Sequence, residues 1–152
     1  MHTKLVALVV FIALAVTLAA VAAAGQVATK QRVAIKQKGG SFVLTPLKPG
    51  AIKADSGSAA FCCWTQRKTM RDGAAIEIDN PRMTLTGKRG TLVARNRVGF
   101  IDIPDGWSVF AGTWKVIRGT GQYAGLAGGG RGAGVFLPNG NEKARFEGFL
   151  AP

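Results

Sequence analysis

The sequence predicts an all-β protein, a single antiparallel β-barrel of six to eight strands over residues 32–152, preceded by an N-terminal signal helix. Three observations predict this class. The chain of 152 residues has the length of one domain. All 21 glycines lie after residue 24, where apolar residues at helical spacing are nearly absent. Short segments there alternate apolar and polar residues between turn signals. Closure into a barrel would leave no exposed sheet edge.

The first 24 residues have the pattern of a secretory signal peptide. Lys4 supplies a positive charge, residues 5–21 are almost entirely apolar, and three alanines ending at Ala24 precede the expected cleavage site. We therefore expect the protein to be secreted or associated with the cell envelope. The alternative is an uncleaved anchor, since this segment is long enough to span a bilayer. Residues 25–31 are expected to form a flexible lead-in.

Four glycine-containing turns are expected to separate the strands of residues 32–152. They are Asp72-Gly73, Lys88-Arg89-Gly90, Pro104-Asp105-Gly106 and Pro138-Asn139-Gly140. Between them, residues 76–79, 82–86 and 143–150 alternate apolar and polar side chains with a period of two. This alternation predicts antiparallel strands with one face on the core and one face in water.

The residue types restrict the chemistry. The only histidine, His2, lies in the signal segment, so the exported domain would have no imidazole for acid–base catalysis or metal binding. We find no catalytic residues, no metal ligands and no cofactor motif. Glu77 and Asp79 would lie about 7 Å apart on one strand face, a separation that inverting glycosidases use. We interpret them as part of a solvated strand face.

Cys62 and Cys63 are the only cysteines, and they are adjacent. Export makes a disulfide feasible, but a bond between neighbours strains the intervening peptide. Three interpretations stay open: one buried thiol with the other facing outward, a strained vicinal disulfide that is easily reduced, or pairing between two chains. The spacing gives no support for a zinc site or a thioredoxin-like motif.

The segment Gly119-Thr120-Gly121-Gln122-Tyr123-Ala124-Gly125-Leu126-Ala127-Gly128 follows an apolar stretch and precedes another. It resembles the Gly-Thr-Gly-x-aromatic stretch of dirigent proteins and allene oxide cyclases. The resemblance implies an eight-stranded antiparallel barrel, commonly oligomeric, whose lumen takes apolar or phenolic small molecules. In those families the segment joins two barrel strands, and no position of this chain matches their pocket residues. The overall pattern also resembles small exported bacterial proteins of unassigned role.

If the barrel binds a ligand in its lumen, large aromatic side chains are the candidates for its lining. Trp114 and Tyr123 could equally pack in the core. The candidate ligand-binding residues are Trp64, Phe100, Phe110, Trp114, Tyr123 and Phe136.

A formal net charge of +12 suggests an anionic partner, and the cations are dispersed as pairs two residues apart. Pairs at 36/38, 95/97 and 143/145 would each line one strand face. An anionic envelope polymer or membrane surface fits this pattern, as does a basic surface without a specific partner. Nucleic acid is not expected, because no recognition motif is present.

We therefore expect an exported, non-enzymatic binding protein for an apolar small molecule or an anionic envelope polymer. The alternative that the resemblance implies is a dirigent- or cyclase-type enzyme that orients a reactive intermediate. A purely structural envelope component and a homo-oligomer are further options.

Overall fold

The computed structural model describes residues 29–71 and 74–152, with the backbone alone for residues 66–71, 74 and 75. The predicted signal helix, its cleavage site, residues 25–28 of the lead-in and the predicted turn at Asp72-Gly73 lie outside the described residues. The described part of the chain is all-β, as predicted, with ten strands and two short 3₁₀ turns. It contains no helix with the length and hydropathy that a membrane crossing needs.

The ten strands have the following bounds: β1 Gln31–Lys38, β2 Ser41–Pro46, β3 Asp55–Cys62, β4 Gln66–Arg71, β5 Ala74–Asp79, β6 Arg82–Gly87, β7 Gly90–Ile103, β8 Trp107–Gly119, β9 Ala127–Phe136 and β10 Glu142–Ala151. The 3₁₀ turns are Pro104–Gly106 and Gly121–Tyr123.

Eight of these strands close an antiparallel barrel in the order β7-β6-β3-β2-β1-β10-β9-β8, with β8 returning to β7. The strand number is at the upper end of the predicted six to eight. The remaining hairpin, β4–β5, lies outside the ring and was not predicted. It can attach because β7 is 14 residues long. The first part of β7 pairs with β6, and Val98–Phe100 pairs with β5.

Most of the predicted turns and alternation are confirmed. Turns occur at residues 88–89, 104–106 and 138–140. In β6, Met83 and Leu85 are fully buried while Arg82 is exposed. In β10 the even-numbered positions face the core, and Lys143 and Arg145 face water. The paired cations at 36/38, 95/97 and 143/145 are likewise all exposed.

Asp79 departs from the predicted solvated face. Its side chain is only 4% exposed, and it lies opposite Val98, a core residue of β7. Burial, with a smaller contribution from Glu77, raises the pKa of this carboxyl group. The prediction was wrong because the alternation over residues 76–79 does not reveal that Asp79 shares its face with Val98, a buried residue of the paired strand β7.

The barrel begins one residue earlier than predicted. Gln31, the last residue of the predicted lead-in, starts β1 and is 7% exposed. Its amide nitrogen donates hydrogen bonds to the backbone carbonyls of Lys48 and Ile52 at 3.0 Å, and its amide oxygen accepts one from the Ile52 N–H at 2.8 Å. Gln31 therefore ties the loop of residues 47–54 to this end of the barrel.

The glycines of β9 make room for the rings of neighbouring strands. Gly132 lies opposite Phe146, and Gly134 lies opposite Phe110. A Cβ atom at either glycine would overlap the facing ring. The same face of β10 supplies Leu150 and Ala144 to the core. The glycine-rich sequence of β9 thus serves core packing, because bulky side chains enter from both adjacent strands.

Candidate functional site

Three cations lie side by side on the outer face of the barrel. In the strand register Arg82 of β6 is opposite Arg95 of β7, and Arg95 is opposite Lys115 of β8. All three side chains are exposed. Neighbouring strands are about 4.8 Å apart, so this cation row spans about 10 Å. Like charges directly opposite one another cost stability, and an anion bound along the row would offset that cost.

A second, looser row runs parallel to the first. Arg97 is opposite Thr113, and Thr113 is opposite Arg131 of β9. These three side chains are also exposed. At the far end of the first row, Lys115 lies opposite Gly129, which has no side chain to cover it. The outer face of β6–β9 therefore presents five cations on adjacent strands.

Two depressions open to solvent along this face, with volumes of about 530 Å³ and 390 Å³. Their linings share Asn80 and Arg95, so the two depressions adjoin, and we refer to them together as the groove. No acidic residue occurs among the described residues that line it. The larger depression is lined by Asn80, Arg95, Asn96, Arg97, Thr113, Trp114, Lys115, Val116 and Ile117. The smaller is lined by Cys63, Thr65, Asn80, Arg82 and Arg95.

The basic surface on β1 and β10 has a different electrostatic setting. Glu147 forms ion pairs with Arg32 at 2.9 Å and with Arg145 at 2.6 Å. Both arginines, Arg145 first, lower the pKa of this carboxyl group. These are the ion pairs between side chains that the structure describes. Arg32 and Arg145, on this side of the barrel, are therefore already paired with a carboxylate.

The two cysteines lie at the β3 end of the cation row. Cys62 is opposite Arg82 in the register, and Cys63 follows with a left-handed φ of 63°. One guanidinium nitrogen of Arg82 donates to both sulfurs, at 3.4 Å to Cys62 Sγ and 2.9 Å to Cys63 Sγ. Both thiols are free and exposed. The arrangement thus differs from the interpretation with one buried thiol.

The hydrogen bond between the thiols separates their acidities. Cys63 donates to Cys62, which lowers the pKa of Cys62, and Arg82 lowers it further. The same bond raises the pKa of Cys63. Of the two thiols, Cys62 is therefore expected to lose its proton first as the pH rises. Among the described residues there is no cluster of three or more His, Cys, Asp or Glu side chains that could hold a metal ion.

Four of the predicted aromatic residues come together at one end of the barrel. Trp64 contacts Phe100, with ring centroids 6.2 Å apart, and Phe100 contacts Phe110 at 5.4 Å and Phe136 at 5.9 Å. Phe61, which was not predicted, adds a contact to Trp64 at 6.1 Å. Trp64 remains 44% exposed. We call Phe61, Trp64, Phe100, Phe110 and Phe136 the aromatic end.

The other two predicted residues lie elsewhere in the core. Trp114 is 2% exposed, and its indole N–H donates to the Glu147 carbonyl at 3.3 Å. Tyr123 is fully buried, and its hydroxyl donates to Asp55 Oδ2 at 2.9 Å. Burial raises the pKa of the Tyr123 hydroxyl, so it stays protonated. Both side chains pack in the hydrophobic core, and Trp114 also lines the larger depression.

Comparison of the chain with protein-family models, with curated proteins and with solved structures finds no match. The resemblance of the Gly119–Gly128 segment to dirigent proteins and allene oxide cyclases therefore stays a prediction.

Proposed function

We propose that this protein is a non-enzymatic binding protein that holds an anionic polymer against the outer face of its barrel. The observation that carries the proposal is the register that places Arg82, Arg95 and Lys115 side by side across three strands. A groove without acidic residues among its described lining runs beside them. A guanidinium group donates two parallel hydrogen bonds to the paired oxygens of a carboxylate or phosphate, which favours such ligands over simple anions such as chloride.

The dimensions favour a polymer over a single small anion. A row of about 10 Å is longer than one phosphate or carboxylate group, so several charges of one ligand would be engaged together. Arg97 and Arg131 extend the positive surface in the direction of the strands. The barrel fixes the spacing of the backbones that carry these cations, so the entropy lost on binding is mainly the rotamer freedom of the side chains.

The test compares two double variants that remove equal charge from opposed strand positions. Arg95→Gln/Lys115→Gln disrupts the cation row, whereas Lys38→Gln/Lys143→Gln removes a directly opposed pair on β1 and β10. The ligand is a fluorescent linear polyphosphate, and anisotropy is measured between about 0.05 and 0.5 M salt. We expect the row variant to bind on the order of tenfold more weakly. The control should stay within about twofold of the unmodified protein.

Salt dependence supplies a second readout. Each phosphate contact contributes about 0.7 to 0.9 to the slope of log affinity against log salt in nucleic acids. The row variant should therefore have a slope smaller by about 1.5, and the control an unchanged slope. An equal loss in both variants would show that net charge alone drives binding and would overturn the proposed site.

The aromatic end supports a second candidate function, the binding of an apolar ring compound. The half-exposed Trp64 covers a cluster of rings. Deeper in the barrel, the side-chain oxygens of Gln37 and Asn96 are buried without a hydrogen-bond partner among the described residues. An aromatic ligand would stack against the exposed Trp64 ring, and a hydrogen-bond donor on it would satisfy one of these buried oxygens.

This candidate is tested with a neutral naphthol probe. We expect Trp64→Ala to abolish binding, because it removes the exposed ring of the cluster. Trp107→Ala is the matched control, since Trp107 is 37% exposed at the start of β8, opposite Ile103. Probe binding that is lost in neither variant, or in both, would exclude the aromatic end as the site.

A further inference from the structure

We propose that Cys62 and Cys63 form a thiol–disulfide exchange site for small disulfides that carry carboxylate groups, with Cys62 as the nucleophile and Cys63 as the resolving thiol. The inference goes beyond polymer binding, because it concerns a covalent reaction at the β3 end of the cation row. Replacing the cysteines leaves every cation in place, so the two proposals can fail separately.

The hydrogen bond between the two thiols is what favours Cys62 as the nucleophile. Arg82 Nη2 lies closer to Cys63 Sγ, at 2.9 Å, than to Cys62 Sγ, at 3.4 Å, so its positive charge faces a thiolate on either sulfur. Cys63 donates the hydrogen bond to Cys62, and this bond and Arg82 both lower the pKa of the Cys62 thiol. The thiolate is the reactive form in exchange. Because both thiols are exposed, a disulfide can approach Cys62 Sγ from solvent.

The adjoining depression supplies recognition of the anion. Its volume is about 390 Å³, and Cys63, Thr65, Asn80, Arg82 and Arg95 line it. A small disulfide bound there would lie against Cys63, the neighbour of Cys62, with its carboxylate near Arg95. Arg95 is opposite Arg82 in the register, one strand farther from the cysteines. It can therefore bind the substrate without contacting the sulfurs.

The reaction has two balanced steps. Cys62 thiolate attacks one sulfur of the disulfide RS–SR, forming a Cys62–SR bond and releasing RS⁻. Cys63 then loses its proton to solvent and attacks Cys62 Sγ. This forms the Cys62–Cys63 bond and releases the second RS⁻. The protein dithiol is oxidised by two electrons, and the substrate disulfide is reduced to two thiolates.

The product bond between neighbours would be strained, so it would be readily reduced again by another thiol. The left-handed backbone at Cys63 directs its chain away from the regular strand path, on which adjacent side chains point to opposite faces. Both sulfurs consequently reach the same guanidinium nitrogen. This departure from strand geometry gives Cys63 access to Cys62.

The experiment measures reaction rates at neutral pH with two aromatic disulfides, the dicarboxylate dithiobis(nitrobenzoate) and the neutral dithiodipyridine. Cys63→Ser leaves Cys62 alone and keeps a hydroxyl donor beside it, and Cys62→Ser leaves Cys63 alone. We expect Cys63→Ser to react severalfold faster than Cys62→Ser, because the thiolate is the reactive form and the pKa of Cys62 is lowered while that of Cys63 is raised. Equal rates would overturn the assignment of the nucleophile.

Recognition and resolution have separate readouts. In the Cys63→Ser background, Arg95→Gln should slow the dicarboxylate about fivefold and leave the neutral disulfide unchanged. Lys36→Gln, an equal charge change on β1, should affect neither. Equal slowing by both substitutions would contradict a local carboxylate site.

Mass spectrometry tests the resolving step. After the reaction the native protein should have lost the mass of two hydrogens, whereas Cys63→Ser should retain the probe group. A probe group on each native cysteine would contradict the resolving role.

Discussion

Glu142 is a carboxyl group in the interior of the barrel. It begins β10 opposite Phe136 and is 7% exposed, and burial raises its pKa. Because the pKa is higher in the folded than in the unfolded state, folding favours the protonated form. The stability that this preference supplies is present below the unfolded pKa and is lost as the pH rises through the folded pKa. At neutral pH the charged group therefore costs stability.

Glu142→Gln should remove that cost. We expect a melting temperature about 3 °C higher than that of the unmodified protein at pH near 7. The difference should shrink as the pH falls toward about 4, where the unfolded carboxyl also binds a proton. Thermal melts followed by circular dichroism over this pH range measure it.

Glu147 on the same strand provides a control of opposite sign. Arg145 and Arg32 lower its pKa, so its stabilising effect is present above the unfolded pKa and is lost as the pH falls through the folded pKa. Glu147→Gln should thus lower the melting temperature at neutral pH, or leave it unchanged because the pair is exposed. A stabilisation by both substitutions would indicate a general effect of charge and contradict the burial argument.

Residue type alone did not decide which aromatic side chains meet. Trp64 follows β3 and Trp114 lies within β8, and the first is half-exposed at the aromatic end while the second is a core residue. Hydrophobicity predicts that such rings are buried, but the end of the barrel they occupy depends on strand length and register. Phe61 was missed for the same reason, although it directly precedes the two cysteines.

At the scale of elements, the glycines of β9 leave room inside the barrel for the rings of neighbouring strands, although glycine makes the strand itself less stable. Gly132→Ala should place a methyl group against the Phe146 ring, which has little room to move in a packed core. We expect a loss of about 1–3 kcal/mol in the free energy of unfolding, measured by urea denaturation.

Gly99→Ala in β7 is the matched control. Its added Cβ would lie 3.6 Å from Ile76 Cγ2, an ordinary contact distance. We expect a change within about 0.5 kcal/mol. Phe146→Leu combined with Gly132→Ala should recover part of the lost stability, because the smaller leucine side chain relieves the overlap with the added methyl group. Additive losses in this double variant would contradict steric overlap as the cause.

Local sequence predicted the strands and turns well because alternation and turn residues act over a few positions. Pro138-Asn139-Gly140 forms its turn as expected, with φ of 79° at Gly140. The cation row was not predicted, because Arg82, Arg95 and Lys115 come from three strands whose pairing is set by the whole barrel. The cation pair at 95/97 did identify the outward face, so the sequence held part of the signal.

At the scale of the whole molecule, a net charge of +12 opposes the compact state through self-repulsion. Arg95 contributes strongly, because it has Arg82 on one side and Lys115 on the other. Three opposed cations would be tolerated in the folded protein if a bound polyanion normally neutralised their charge. Loss of the central charge, that of Arg95, would then raise the stability of the protein and weaken its binding of the polyanion.

We therefore expect the melting temperature to rise between about 0.05 and 0.5 M sodium chloride, because salt screens the repulsion. Arg95→Gln should raise the melting temperature at low salt by about 3 °C, since it removes two opposed like-charge pairs. It should also reduce the dependence on salt. Lys48→Gln, in the loop of residues 47–54 and with no cation opposite it in a strand, should have little effect.

Polyphosphate should stabilise the unmodified protein more than the Arg95 variant, because a ligand that binds the folded state alone raises its stability. A melting temperature independent of salt would contradict repulsion within the row, and equal stabilisation of both proteins by polyphosphate would place its binding elsewhere on the barrel.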